Sequence, residues 1–96
     1  MKTTKAVIQA EQCSKYLVVL CRHFARKVKS EWTETQGEVE FPVGKAAMAA
    51  DENAQTLTIV CSAENEIKLK QVQSIIDSHV SMFTRRNPIV PGWVDV

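Results

Sequence analysis

The segment CSKYLVVLCRHFARKV, residues 13–28, decides how the rest of the chain can fold. Its apolar side chains recur at helical steps of three and four, which places them on one face of an α-helix beginning near Glu11. These side chains are Cys13, Leu17, Leu20, Phe24 and Val28. The opposite side carries Lys15, Arg22, Arg26 and Lys29. The spacing therefore predicts an amphipathic helix with a buried apolar stripe and a basic outer stripe.

Short β-prone segments flank this helix on both sides. They cover residues 5–9, 30–35, 38–41, 45–50 and 56–61. In the third segment, residues 38–41, charged and apolar residues alternate, which is typical of a half-buried strand. The alanine-rich fourth segment favours a helix by propensity, but its shortness and its flanking turns favour a strand. Turn signals separate these segments at Gln36-Gly37, Pro42-Val43-Gly44 and Asp51-Glu52-Asn53. We therefore expect an antiparallel meander after the first helix.

A second helical pattern occupies the C-terminal third of the chain. Its apolar residues are Leu69, Val72, Ile76, Val80 and Phe83. Ser62 is a candidate N-cap, and Asn87-Pro88 predicts the end of the helix after Arg85 and Arg86. Residues 89–94 are apolar enough for a last strand, with Pro91 keeping it at a sheet edge.

The predicted order of elements is β-α-β-β-β-β-α-β. Each helix has one apolar stripe to bury, and a shared antiparallel sheet is the simplest way to cover both. We predict the α+β class, as a two-layer sandwich with both helices on one face of the sheet. All 96 residues form one domain in this prediction, with an outline like that of the TATA-binding protein, which implies nothing about function.

Composition narrows the class of protein. The formal net charge is +1, which argues against a dedicated nucleic-acid partner. No apolar run approaches the length of a membrane span, so no membrane partner is expected. The three cysteines are odd in number and form no Cys-x-x-Cys pair, which favours free thiols and a cytoplasmic location.

Cysteine and histidine are the residue types that suggest a metal site. Cys21 and His23 are two positions apart on the predicted helix, so they point about 200° apart and do not hold one ion by themselves. Cys61 or His79 would have to complete such a site. Because free cysteine is most often a small core residue, we favour a structural role for the cysteines. No glycine-rich phosphate loop occurs, and no cofactor is predicted.

His23 and His79 have comparable positions, each beside the apolar stripe of its helix. If the helices pack side by side, the two imidazoles approach one another and could bind a metal, a carboxylate or a phosphate. The commoner meaning of such residues is a side chain that bridges core and water. The basic outer stripe could contact phosphates or an acidic partner, although a solvated helix face is its commonest meaning.

Three blocks of this sequence resemble those of a small bacterial family, a domain of unknown function. The helix block Tyr16-Leu17-x-x-Leu20-Cys21-Arg22-His23-Phe24-Ala25 is the most specific, since the family has a Leu-Cys-Lys/Arg-His-Phe-Ala type helix. Arg26 stands where histidine is usual in the family. The other matching residues are Gly37-x-Val39-x-Phe41-Pro42-x-Gly44, His79-Val80-x-x-Phe83-x-x-Arg86 and Trp93.

The resemblance implies no established activity. Similar domains are joined to flavoproteins of the siderophore-interacting type, which implies a link to iron or siderophore metabolism and a possible flavoprotein partner. We therefore predict a non-catalytic binding or accessory module, with no catalytic residue assigned. Two alternatives stay open: a metal-binding protein or metal-dependent enzyme, and a homodimer built on the open sheet face around Trp32. The candidate binding residues are Arg22, His23, Arg26, Lys27 and His79, and the weaker metal candidates are Cys21, His23, Cys61 and His79.

Overall fold

The computed structural model describes the backbone of residues 1–83 and 92–96, and the side chains of residues 1–80 and 92–96. Within these residues the element order is the predicted β-α-β-β-β-β-α-β. The elements are β1 (Lys2–Gln9), α1 (Cys13–Phe24), β2 (Lys29–Trp32), β3 (Gln36–Phe41), β4 (Gly44–Asp51), β5 (Thr56–Ala63), α2 (Glu66–Phe83) and β6 (Val94–Asp95).

The described strands form one sheet in the order β2-β3-β4-β5-β1-β6, and every neighbouring pair is antiparallel. Strands β2 to β5 are the expected meander. Strand β1 then pairs with β5 along its whole length, from Lys2 opposite Ala63 to Gln9 opposite Thr56. Strand β6 adds a short outer pairing in which Val94 lies opposite Lys5.

Both helices cover the same face of this sheet. Burial alternates along β1, β4 and β5, because successive side chains of a strand point to opposite faces. Helix α1 lies over β2, β3 and β4, and α2 lies over β4, β5 and β1. The two-layer α+β prediction is therefore confirmed. The largest fully buried side chains of the core between the layers include Leu17, Leu20, Val39, Leu57, Ile59, Val72 and Ile76.

The first helix is shorter than the periodicity predicts. It ends at Phe24, and the backbone nitrogens of Ala25 and Val28 donate to the carbonyls of Cys21 and Phe24 in the following turn. The hydroxyl of Ser30 also donates to the Cys21 carbonyl, at 2.9 Å. This hydrogen bond joins β2 to the last turn of α1, so the chain changes direction directly after the helix. As a result, the predicted basic stripe is divided between helix, turn and strand.

The turn predicted at Gln36-Gly37 is wrong, because both residues belong to β3. The reversal uses Thr33, whose Oγ1 accepts hydrogen bonds from the backbone nitrogens of Thr35 and Gln36, at 3.3 and 3.1 Å. A hydroxyl that satisfies backbone donors in this way makes a turn without glycine.

The start of α2 also differs from the prediction. Ser62 lies in β5, and the helix begins at Glu66 with the side-chain oxygen of Asn65 accepting from the Lys68 nitrogen at 2.9 Å. The predicted stop at Asn87-Pro88 lies outside the described residues, as do Arg85, Arg86 and Pro91. Neither described helix is long and apolar enough to cross a membrane.

Trp32 does not lie on the open face of the sheet, where we expected it to support a homodimer. It follows the exposed Glu31 in β2 and shares the helix-covered side with Ser30. Its indole is partly buried against the core.

Candidate functional site

Two histidines meet where the helices lie side by side. His23 is in the last turn of α1, and His79 lies one turn before the end of α2. Their ring centroids are 4.9 Å apart, with an interplanar angle of 59°. The approach that we expected from their positions on the two helices is therefore observed. We call His23, His79 and the following basic turn, Arg26 and Lys27, the histidine shoulder.

Aromatic packing holds this pair in place. The ring of Phe24 lies 4.5 Å from that of His79 and 5.1 Å from that of Phe41, centroid to centroid. Phe24 is only 5% exposed, whereas both histidines are partly exposed. The imidazole of His79 thus rests on an apolar ring, and both imidazoles reach solvent, as amphipathic side chains at the edge of a core do.

The ring nitrogens of His79 are distinguished by a hydrogen bond within α2. Its Nδ1 lies 2.7 Å from the carbonyl oxygen of Ile75. Because a carbonyl oxygen only accepts, Nδ1 must carry the proton. In the neutral ring Nε2 then keeps its lone pair, and in the charged ring it becomes a second donor.

The charges that act on His23 are positive. Partial desolvation, together with the neighbouring His79, Arg26 and Lys27, lowers the pKa of His23 below its ordinary value. The shoulder therefore disfavours an added proton when it is empty. A negatively charged ligand would reverse this electrostatic effect, so the chemistry open to the shoulder is the binding of an anion together with a proton.

Arg22 does not join the shoulder in the same way. It lines a separate groove beside α1 together with Lys15, Glu34 and Glu52. The candidate binding residues of the sequence are thus divided between two surfaces. Arg26 and Lys27 follow the helix in the turn, where their charges act on His23.

The cysteines among the metal candidates lie in the core. Cys21 and Cys61 are both 0% exposed. Burial raises the pKa of Cys21, against a smaller opposing effect of Ser30, and burial together with Asp77 raises the pKa of Cys61 to about 12. Thiols that stay protonated at neutral pH are poor metal ligands and poor nucleophiles.

No three His, Cys, Asp or Glu side chains within the described residues are placed to hold one metal ion. Of the four metal candidates, the structure therefore brings together only His23 and His79. Both thiols lie in the core, whereas the shoulder is partly exposed, and a metal site that includes a cysteine stays a prediction.

Sequence reasoning missed two supporting contacts. Phe41 packs on Phe24 beneath the histidines, and its alternation with Glu40 in β3 could have indicated that it faces the helices. The indole nitrogen of Trp93 donates to Asp77 of α2 at 3.0 Å, which ties the segment before β6 to the helix. No sequence signal pairs these two residues.

Comparison with known families now identifies the chain's relatives. Residues 5–94 match the model of a family described as an uncharacterized protein conserved in bacteria, DUF2218. The chain belongs to this family. The match extends over both helices and from within β1 to the start of β6, and it includes His23 and His79. The resemblance noted from the helix motif is confirmed to that extent, and the family's description carries no activity, ligand or partner.

A solved structure shows the same fold. The NMR structure of PA4090 from Pseudomonas aeruginosa superimposes with a TM-score of 0.81, over 98% of this chain and 96% of that one. The two sequences are 18% identical, so the likeness concerns the fold alone. A comparison with curated proteins gives no significant match.

Proposed function

We propose that this family member is a non-catalytic binding module that takes an anionic group, such as a carboxylate or a phosphate, at the histidine shoulder. The observation that carries the proposal is the 4.9 Å approach of His23 and His79. A neutral imidazole donates from one ring nitrogen and a protonated imidazole from both, so two rings at this spacing can share one anion once a single proton is taken up.

The surrounding charges support an anion rather than a cation. Arg26 and Lys27 place positive charge close enough to His23 to lower its pKa. A bound anion would offset these charges and raise that pKa again, so binding is coupled to the uptake of a proton. We therefore expect affinity to increase as the pH falls through the ordinary range of histidine.

The buried thiols support a non-catalytic role. Neither Cys21 nor Cys61 is exposed, and the pKa of each is raised. A protonated, inaccessible thiol cannot serve as the nucleophile of a cysteine–histidine pair.

The test is a titration with inorganic phosphate and with citrate, followed by NMR of the imidazole signals. We expect both histidines to respond, and affinity to rise by at most about tenfold per pH unit on acidification, as one linked proton requires. His23→Gln and Lys27→Gln should weaken binding. Lys70→Gln is the matched control, since Lys70 lies on the exposed side of α2. Unmoved imidazole signals with both anions would refute the proposal.

A metal-binding function is the second candidate, and the hydrogen bond from His79 to the Ile75 carbonyl favours it. Metal-ligating histidines commonly donate their other nitrogen to such a carbonyl. A Zn²⁺ titration separates the two functions by the sign of the pH dependence. Metal competes with protons for the imidazoles, so its affinity should rise with pH, whereas anion affinity should fall.

A link to iron or siderophore metabolism, with a siderophore-interacting flavoprotein as partner, rests on the resemblance of the helix motif. The histidine shoulder would be the contact surface in that proposal. It can be checked by mixing this chain with a flavoprotein of that type from the same bacterium and measuring sedimentation at the flavin absorbance. The flavin boundary should move faster with the wild-type chain than with His23→Gln; an unchanged boundary in both cases would rule out this partner.

A further inference from the structure

The sheet face opposite the helices has an ordered row of side chains. Four neighbouring residues on β3, β4, β5 and β1 are paired in register across it: Glu38 with Ala47, Ala47 with Val60, and Val60 with Lys5. The row thus runs from an acidic residue through two small apolar residues to a basic residue. No described element covers this face, and Val7 in the neighbouring row is 53% exposed.

We propose that this face binds a second copy of the chain, about a two-fold axis that runs parallel to the strands between β4 and β5. This axis reverses the order of the strands in the second copy, and with it the direction of the row. Ala47 then lies opposite Val60 of the second copy, and Glu38 lies opposite Lys5 of the second copy. Because the axis repeats each contact, two Glu–Lys pairs flank one apolar centre.

The neighbouring row fits the same axis. Ala49 pairs with Thr58 in register, and the axis places each opposite the other in the second copy. These side chains are small, so two sheets can approach to the usual distance of about 10 Å without a clash. Gln36 and Val7, at the two ends of this row, likewise come opposite one another.

The remaining charges of the face do not oppose the arrangement. Glu31 comes opposite Val94 of the second copy, and Glu40 comes opposite Thr3. The two basic residues of the Glu40 row also meet uncharged residues, since Lys45 comes opposite Ser62 and Lys29 opposite Val96. No two like charges are brought together directly. A second copy of the chain therefore matches the face in charge as well as in shape, which is the reason to choose it over an unrelated partner.

The area of the face is that of a small interface. Four strands about 4.8 Å apart and roughly seven residues long offer on the order of 500 Å² per copy. The total of about 1,000 Å² lies at the low end of specific interfaces. We therefore expect a weak dimer whose population depends on concentration, and which forms independently of any ligand at the histidine shoulder.

Sedimentation velocity over a concentration series tests the proposal. We expect the wild-type chain of 10.8 kDa to shift from monomer to dimer as concentration increases to about 0.5 mM. Lys5→Glu alone, or Glu38→Lys alone, places like charges together twice and should raise the dissociation constant at least about tenfold. Both positions are exposed, so neither change removes core packing.

Mixing the two single variants gives the sharpest result. A mixed dimer of Lys5→Glu with Glu38→Lys regains both opposite-charge pairs, so the mixture should dimerise about as well as the wild type. Isotope labelling of one variant lets native mass spectrometry identify the mixed dimer. Lys70→Glu on α2 is the matched control and should leave the dissociation constant unchanged, as should His23→Gln.

A wild-type chain that stays monomeric over the whole series would overturn the proposal. So would a mixture of the two variants that forms no mixed dimer, or a Lys70→Glu effect equal to that of Lys5→Glu. None of these outcomes bears on anion binding at the histidine shoulder, so the two proposals can fail separately.

Discussion

Among single residues, Gly37 sets how closely α1 packs on the sheet. A Cβ atom at this position would lie 2.6 Å from the Cys21 sulfur and 3.3 Å from a methyl carbon of Leu17. Both of these side chains are 0% exposed, so neither has free volume to move into. The glycine is therefore needed for space in the middle of a strand, where it would otherwise reduce stability.

Gly37→Ala should lower the free energy of unfolding by about 1–3 kcal/mol, because the added methyl overpacks the core. In a Cys21→Ala background the same change should cost less, since the sulfur that the methyl meets is gone. Urea denaturation of the four proteins measures this coupling.

Gly92→Ala is the matched control for this prediction. Nothing lies within 4 Å of the position that its Cβ would occupy. We expect a change within about 0.5 kcal/mol. Equal costs at Gly37 and Gly92 would contradict the packing argument.

Among the elements, α2 depends on a cap at its first turn. The Asn65 side chain accepts from the Lys68 nitrogen, one of the backbone donors that a helix start leaves without an intrahelical partner. An exposed ion pair between Lys68 and Glu64, at 2.7 Å, lies beside it. Since exposed pairs contribute little, the cap should be the larger of the two effects.

Asn65→Ala should therefore lower the free energy of unfolding by about 1 kcal/mol. Asn53→Ala is a suitable comparison, because Asn53 uses only its backbone nitrogen in the hydrogen bond to Asp51. Thermal unfolding followed by circular dichroism measures both variants. An Asn53→Ala effect as large as that of Asn65→Ala would count against the cap.

For the whole molecule, His23 on the acid side and the buried thiols Cys61 and Cys21 on the alkaline side bound the pH range of greatest stability. In the folded chain the pKa of His23 is below its ordinary value of 6.5. The imidazole is therefore protonated more readily in the unfolded chain, and the free energy of unfolding falls as the pH drops through 6.5. In the folded chain the pKa of Cys61 is raised from 9.0 to about 12. The thiol therefore loses its proton at a lower pH in the unfolded chain than in the folded one, and the free energy of unfolding falls as the pH rises above 9.0.

Chemical denaturation at a series of pH values should show a plateau between these limits. His23→Gln should flatten the acid side and leave the alkaline side unchanged. Cys61→Ala should lower stability throughout, because it empties core volume, and should make the alkaline side less steep, with the remaining slope due to Cys21, whose pKa burial also raises. If the free energy of unfolding varied with pH in the same way in the wild type, His23→Gln and Cys61→Ala, neither His23 nor Cys61 would set the limits.

The histidine shoulder shows how far a candidate site can be predicted. The helical spacing was enough to place His23 and His79 beside the apolar stripes of their helices, and so to anticipate their approach. The spacing could not show that Phe41 packs beneath them, because that contact joins segments far apart in the chain. It also could not show that Arg26 joins the shoulder, since the helix ends at Phe24, earlier than its apolar pattern does.

The class of the fold and the order of its elements can be read from the sequence, because amphipathic periods of 3.6 and 2 residues are local properties of the chain. Tertiary structure alone decided where elements end and which side chains meet. Gly37 looks like a turn in sequence but lies in a strand, where its missing Cβ leaves space for the Cys21 sulfur. In the same way, the row from Glu38 to Lys5 exists only because β1 returns to pair with β5, a contact between distant segments that no local pattern encodes.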